Sequence, residues 1–405
     1  MPLLSTLPRE EIAKRDTQLR AILEEQPDNP GLLFEHGQYL TLLGRGREAN
    51  ESYSNSIGGW KSPNDNVFRQ FVVWTLLNQN FGLATATAAK RWPDYPDVRI
   101  ALDYSTQPDK RAILLTLDDD CAVHFGFPTT FFSEFDEVMG LRWIDTLLLF
   151  LAFRHRHSTA RGNTFFNTED IGREPGLAFC DFRSEYSLIP DCDFVASRGL
   201  SDFKRRLEMA PKWRDRKPIA FWRGATTGSG YSNWRDLPRV KLCRLSRDHP
   251  YRLDAAVTRI VQILLQKEKD EFHSTIPMAP FVDSIRFADY KYLIDIDGNT
   301  NAWGLINKLC TGGVVLKVTS ALGYRQWFYD RLEPWLNFVP VEADMSDLIE
   351  KIAWLQDNDN EACAIAEKAR DLALSMTIDS ELRRNDVTIL NTLGCQSRSA
   401  VACAK

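Results

Sequence analysis

Short apolar runs punctuated by Gly, Pro and Asn mark the second half of this chain, whereas its first hundred residues carry apolar positions mainly at helical spacing. Lys291–Ile296 (KYLIDI) reads as a strand ending in Asp297-Gly298-Asn299-Thr300-Asn301. Ala302–Cys310 reads as a helix, Gly312-Gly313 stops it, and Val314–Val318 is the next strand. That is a βαβ unit, whose parallel strands are joined by a right-handed crossover. Gly323–Leu332 predicts another helix and Asn337–Val341 another short strand. Met345–Leu355 predicts a helix under an Asp344 cap, with Asp347 three residues later. Upstream, Pro218–Trp222 is a strand that breaks at Arg223-Gly224. Alternation of strands and helices over 218–355 predicts a doubly wound α/β sheet, with ligands beyond the carboxyl ends of its strands. Arg223 and the Gly298–Asn301 loop both fall there.

In the first half, Glu10 to Ile57 reads as helices, and Asn29-Pro30 starts one of them. The positions of Leu33, Gly37, Leu40, Leu43, Gly44, Ala49 and Tyr53 match a single tetratricopeptide-like helix pair, whose small residues allow close approach. One unit is too few for an independent array, so the pair is expected to pack on the main body as a structural cap, with partner binding the second reading. Asn66–Ala101 stays mainly helical, and Ala112–Leu117 predicts a strand. Leu147–Phe153 is a buried strand or a helix segment, and Phe165-Phe166 and Leu177–Phe179 predict short strands. The resulting division is a helical extension over 1–100, a first α/β region over 101–210, a second over 211–375 and a tail over 376–405.

A chain of 405 residues exceeds one ordinary core and fits two domains. Its 44% hydrophobic and 26% charged residues describe a folded globular protein. The net charge of −5 implies no general affinity for nucleic acid. Ser201–Arg259 departs from that balance, with 15 Lys and Arg against 6 Asp and Glu, which is either a solvated face or an anion site. Eight cysteines without C-x-x-C spacing, and six histidines, argue against a structural zinc site. Cys310 and Cys363 read as core thiols of a reducing compartment. The start MPLLSTLPREEIAKR lacks the form of a signal peptide, and the expected compartment is the cytoplasm.

The segment KPIAFWRGATT is the most informative chemically. Glycines let backbone N–H groups approach a phosphate, and a guanidinium offers it a bidentate fork. Arg223, Gly224, Thr226 and Thr227 are therefore candidates for a diphosphate, with Arg235 and Arg239 in reach. Asn299, Thr300 and Asn301 precede a helix that starts near Ala302, whose free N–H groups would attract an anion. Trp303 is either a base-stacking residue or core. Asp118-Asp119-Asp120 follows a strand and is either a solvated acidic loop or a D-x-D metal site.

Together, KPIAFWRGATTG, WRDLPRVKLCRLSR, KYLIDIDGNTNAWGLINKLCTGG, FYDRLEPWLNFVPVEADMSDL and NDNEACAIAEKA resemble glycosyltransferase family 90 over roughly Asn163 to Ala373. That resemblance implies a GT-B architecture of two Rossmann-like domains facing a cleft. It also implies inverting transfer from a UDP-sugar without a metal or other cofactor. Arg223 and Gly224 match the family's R-G pair. Asp170, in Asn167-Thr168-Glu169-Asp170, matches its catalytic aspartate, the general base, with Glu169 the nearest rival. A serine usual after the R-G pair is Ala225 here. The loop serine and arginine fall on Ala302 and Gly304, and a common histidine on Asn337. These departures fit the bacterial branch, which implies a lipopolysaccharide or capsule-type saccharide or glycolipid acceptor at the inner membrane face. Two other readings are a non-catalytic interaction protein on a decayed transferase fold and a metal-dependent transferase built on Asp118–Asp120.

Overall fold

The computed structural model describes residues 7–59, 65–92, 94–133, 137–228, 230–231, 233–263, 265–276 and 278–402. Five helices open the chain: Arg9–Glu25, Pro30–Leu42, Gly46–Gly59, Asp65–Leu77 and Phe81–Arg91. The Asn29 side chain caps the second by accepting from Gly31 N and Leu32 N, with Pro30 in its first turn. Gly37 lets the second and third helices meet: a Cβ there would lie 2.4 Å from the Tyr53 ring. The fourth and fifth helices join the body of the protein. Val72, Val73, Leu76, Ala84 and Ala88 share one buried core with the first sheet.

That sheet contains β1 (Arg99–Tyr104), β2 (Ile113–Leu117), β3 (Ala122–Phe127), β4 (Gly162–Phe166), β5 (Gly176–Ala178) and β6 (Ser187–Leu188), in the order β1-β3-β2-β4-β5-β6. It is mixed rather than all parallel. β2 runs antiparallel to both β3 and β4, while the outer pairs are parallel. The reason is local: β2 and β3 are joined by the short turn Asp118–Cys121, and only an antiparallel pair can be closed that tightly. Cys121 takes φ 58° in that turn. The apolar run Leu147–Phe153 proves to be the middle of a 20-residue buried helix, Glu137–Arg156, behind this sheet.

The expected tail over 376–405 is largely the helix Ile378–Ala402, which returns to the first unit. Leu382, Ile389 and Leu393 enter the first core, and Arg156 pairs with Asp386 at 2.7 Å. Among the described residues no helix is long and apolar enough to cross a membrane.

The second sheet contains β7 (Lys217–Ala225), β8 (Leu253–Arg259), β9 (Tyr290–Asp295), β10 (Val314–Val318) and β11 (Val339–Val341), ordered β11-β10-β9-β7-β8 with every pair parallel. The chain reverses its direction of winding between β7 and β9, and a crevice opens beyond their carboxyl ends. Three helix expectations need correction. The helix after β9 begins at Leu305 rather than Ala302 and ends at Cys310. Gly323–Leu332 contains turns and a single 3₁₀ turn, Tyr329–Arg331. The helix expected from Met345 runs Leu348–Asp357 with Asp347 at its N-cap position, and Asp344 instead accepts from Ser346 N at 2.9 Å within a turn.

Candidate active site

The loops after β7 and β9 are drawn together by one side chain. Arg239 stands in the first turn of the helix Pro238–Asp248 and reaches back into the crevice. Its Nε donates to Asp297 O at 2.9 Å and its Nη2 to Ile296 O at 3.1 Å. Nη1 donates to Thr227 Oγ1 at 2.6 Å and to Ala225 O at 3.2 Å. Burial pulls its guanidinium down to about 10, which leaves it cationic at neutral pH. Gly298 makes the approach feasible, because a Cβ there would sit 2.6 Å from Thr227 Oγ1 and 2.9 Å from Arg239 Nη2.

Arg239 borders two cavities. One, of about 580 Å³, lies within the second unit and is walled in part by Trp222, Arg223, Gly224, Ala302, Trp303 and Lys308. Arg223 does not extend freely into it. Its Nη2 pairs with Asp254 at 2.8 Å, and Nη1 donates to Trp222 O and Asp254 O at 2.9 and 3.0 Å. Its Nε is buried without a partner. Gly224 is tightly packed, since a Cβ would come within 2.5 Å of the Trp222 ring. Behind this cavity, Lys308 and Lys317 pair with Asp295 at 2.7 and 3.2 Å. Burial alone would raise the Asp295 carboxyl, but the two ammoniums outweigh it and hold it below the usual range.

The other cavity, of about 480 Å³, lies between the two units. Arg142, Asp145, Asp170 and Asp193 come from the first unit, while Thr227, Arg239, Asn299, Thr300, Asn301 and Trp303 come from the second. Asp170 Oδ1 accepts from Arg142 Nη2 at 2.7 Å, and Arg142 Nη1 donates to Thr168 O at 3.0 Å. The same guanidinium lies 4.7 Å from the centroid of the Trp303 ring. Trp303 in turn meets Phe179 edge-on at 5.8 Å and packs against the first core. Asn301 is buried. Glu169 turns aside to pair with Arg173.

Asp170, Thr227, Arg239, Asn299, Asn301 and Trp303 thus share one cavity, and Arg223, Gly224 and Ala302 line its neighbour. Two other predicted residues point elsewhere. Thr226 is buried and exchanges hydrogen bonds with Val261 O and Val261 N, both at 2.7 Å, which closes a turn. Arg235 pairs with Glu271 over the Trp234 ring and lines neither cavity. The helix expected to offer its N-terminus from Ala302 starts three residues later, which takes away that reason for an anion at Ala302.

Asp118–Asp120 lies in the β2–β3 turn, outside both cavities. Asp119 pairs with Arg161, and Asp120 pairs with His124 at 3.0 Å and Arg99 at 3.2 Å. Among the described residues, no group of three or more His, Cys, Asp or Glu could hold a metal ion. Asn337 staples a turn, accepting from Glu333 N at 2.9 Å and donating to Arg331 O at 3.0 Å.

Sequence reasoning missed Arg142, Asp145, Asp193 and Arg69, all of which border the inter-unit cavity. A signal existed for the first two: they are charged residues spaced i, i+3 in the largely apolar stretch between the charged ends of their helix. Asp145 is buried, which raises its carboxyl, and Arg69 and Arg91 face it.

Residues 197–388 match the family model Glycosyl transferase family 90. Protein O-glucosyltransferase 2 of Danio rerio is 33% identical over 163 residues, covering 40% of this chain and 30% of that protein. Protein O-glucosyltransferase 3 of Homo sapiens is 33% identical over 210 residues, covering 49% of this chain and 38% of that protein. The matched segments therefore span well under half the length of these relatives. Among solved structures, Anabaena Alr3699/HepE in complex with UDP-glucose aligns over 47% of this chain and 52% of that one, at 12% identity and a TM-score of 0.32, a likeness that carries no argument by itself. The match to the model of glycosyltransferase family 90 thus falls on residues 197–388, the region that supplies the parallel sheet and most of its crevice.

Proposed function

We propose that this protein is an inverting glycosyltransferase of GT-B type that moves a sugar from a UDP-sugar to a saccharide hydroxyl. The observation that carries the proposal is the common cavity: Asp170 stands on one wall, and the Arg239-stapled loops form the other. The nucleotide would occupy the neighbouring cavity within the second unit, with its diphosphate towards Arg239 and Arg223. An acceptor hydroxyl in the inter-unit cavity would lose its proton to the Asp170 carboxylate as its oxygen attacks the anomeric carbon. The bond from that carbon to the diphosphate oxygen breaks on the opposite side, which inverts the centre. Negative charge then grows on the leaving diphosphate, where fixed guanidiniums stabilise it.

The glucosyltransferase names of the relatives make UDP-glucose the first donor to try, and a lipopolysaccharide or capsule-type glycan is the proposed acceptor class. The metal-dependent reading loses its geometrical support, because the Asp118–Asp120 carboxylates line neither cavity. The deciding experiment is release of UDP from UDP-glucose, with and without saccharide acceptors, by wild type and Asp170→Asn. UDP binding without turnover across a broad panel of UDP-sugars and acceptors would favour the non-catalytic interaction protein.

A further inference from the structure

At the opposite end of the second sheet, before β7 and β10, lies a separate cavity of about 330 Å³ bordered by Lys212, Trp213, Arg216, Gly312 and Arg370. Arg216 is buried, and three backbone carbonyls hold its guanidinium in place. Nε donates to Pro211 O at 3.0 Å, Nη1 to Gly312 O at 2.6 Å and Nη2 to Thr311 O at 2.9 Å. Each terminal nitrogen retains a second N–H. Arg370 makes no hydrogen bond or ion pair among the described residues, and its Nε is buried without a partner.

The two side chains converge over Gly312, where a Cβ would lie 3.2 Å from Arg370 Cδ and 3.6 Å from Arg216 Nη2. Gly312 takes φ +70°, a conformation that favours glycine. Glu208 and Glu367 are exposed members of the same lining, yet among the described residues no carboxylate comes within 4.0 Å of either guanidinium, and Asp289, whose charge reaches Arg216, is itself paired with Arg286. Burial, and then the charge of Arg370, lower the Arg216 pKa.

Two converging guanidiniums without a counter-ion form an incomplete electrostatic arrangement, and a tetrahedral oxyanion supplies what it lacks: negative charge and several acceptors. We propose that this cavity is a second ligand site, which binds inorganic phosphate or the phosphoryl group of a small phosphomonoester through Arg216 and Arg370. The space exceeds that of the free ion and leaves room for an ester group against Trp213. This inference does not depend on the transferase reading.

The test uses the full chain, with sodium phosphate and glucose 6-phosphate titrated by calorimetry and thermal unfolding against sodium chloride at matched ionic strength. Wild type should bind saturably and gain a rising unfolding midpoint. Arg370→Met should raise the dissociation constant at least about tenfold, the loss of one charge-assisted hydrogen bond, and Arg370→Lys should weaken binding less. Tighter binding of the ester or of the free ion tells which of the two the site is built for, and either supports it. Each variant is also titrated with UDP, whose effect should not change. The proposal is overturned if chloride reproduces the phosphate shift, or if folded Arg370→Met binds both anions as wild type does.

Discussion

The Arg142 guanidinium lies 4.7 Å from the centre of the Trp303 ring while donating to Asp170 at 2.7 Å. Asp170 is therefore held by an arginine of its own unit that rests on a tryptophan of the other. If Asp170 is the base, its orientation depends on how the two units close. Arg142→Met should lower kcat by roughly tenfold to a hundredfold through misplacement of the carboxylate, with UDP affinity nearly unchanged. Arg142→Lys should recover part of the loss. Steady-state kinetics beside UDP calorimetry separates this from a general loss of folding, which would depress both.

Asp170→Asn removes the proton acceptor and keeps the shape. The expected fall in kcat is roughly 10²–10⁴-fold, with little change in UDP binding. Glu169→Gln is the control, because Glu169 is occupied by Arg173. Near-normal turnover by folded Asp170→Asn would assign the base elsewhere.

Gly298→Ala tests the closeness of the two loops. The added methyl collides with Thr227 Oγ1 and Arg239, so about 1–3 kcal/mol of stability should be lost and UDP binding should weaken. Arg223→Ala should weaken UDP binding by about 2–4 kcal/mol if its guanidinium meets the diphosphate. Equal UDP affinity in wild type and Arg223→Ala would instead mark that side chain as a structural partner of Asp254.

Transfer by this arrangement should survive chelation. Activity measured in EDTA should equal activity in manganese, and Asp118→Asn combined with Asp120→Asn should leave it intact. Loss on chelation with rescue by manganese would revive the metal-dependent reading.

Stability should also depend on pH through Asp191. Burial pushes its carboxyl up to about 7, although Phe194 N donates to it at 2.8 Å. A carboxyl whose pKa is raised on folding adds most stability below its unfolded value near 4, and loses that advantage as pH rises through about 7. Wild type should therefore lose stability between pH 4 and 8, and Asp191→Asn should flatten that slope. The asparagine has a ready neighbour, because Gln326 Nε2 already faces Asp191 at 3.1 Å and Gln326 Oε1 has no partner. Parallel pH–stability curves for the two proteins would count against the assignment.

The residues alone made four of the five strands of the second sheet legible, while β8 (Leu253–Arg259) went unread. KYLIDI, the Gly312-Gly313 stop and Val314–Val318 form a parallel unit because buried strands and their glycine breaks are local features. The 298–301 loop was placed at a strand end for the same reason, whereas the break expected at Arg223-Gly224 does not occur: β7 runs on to Ala225, paired with β8. The mixed first sheet was less legible, since the direction of a strand depends on its neighbours rather than on its own pattern. No local signal showed that the helix Ile378–Ala402 returns to the first core, or that Arg69 from the helical extension reaches the cleft. Side-chain destinations were decided only in three dimensions. Arg235 and Arg239 look equivalent in sequence, yet one pairs with Glu271 at the surface and the other fastens both crevice loops. Spacing can bring a charge within reach of a site, but the partners that compete for it come from distant parts of the chain.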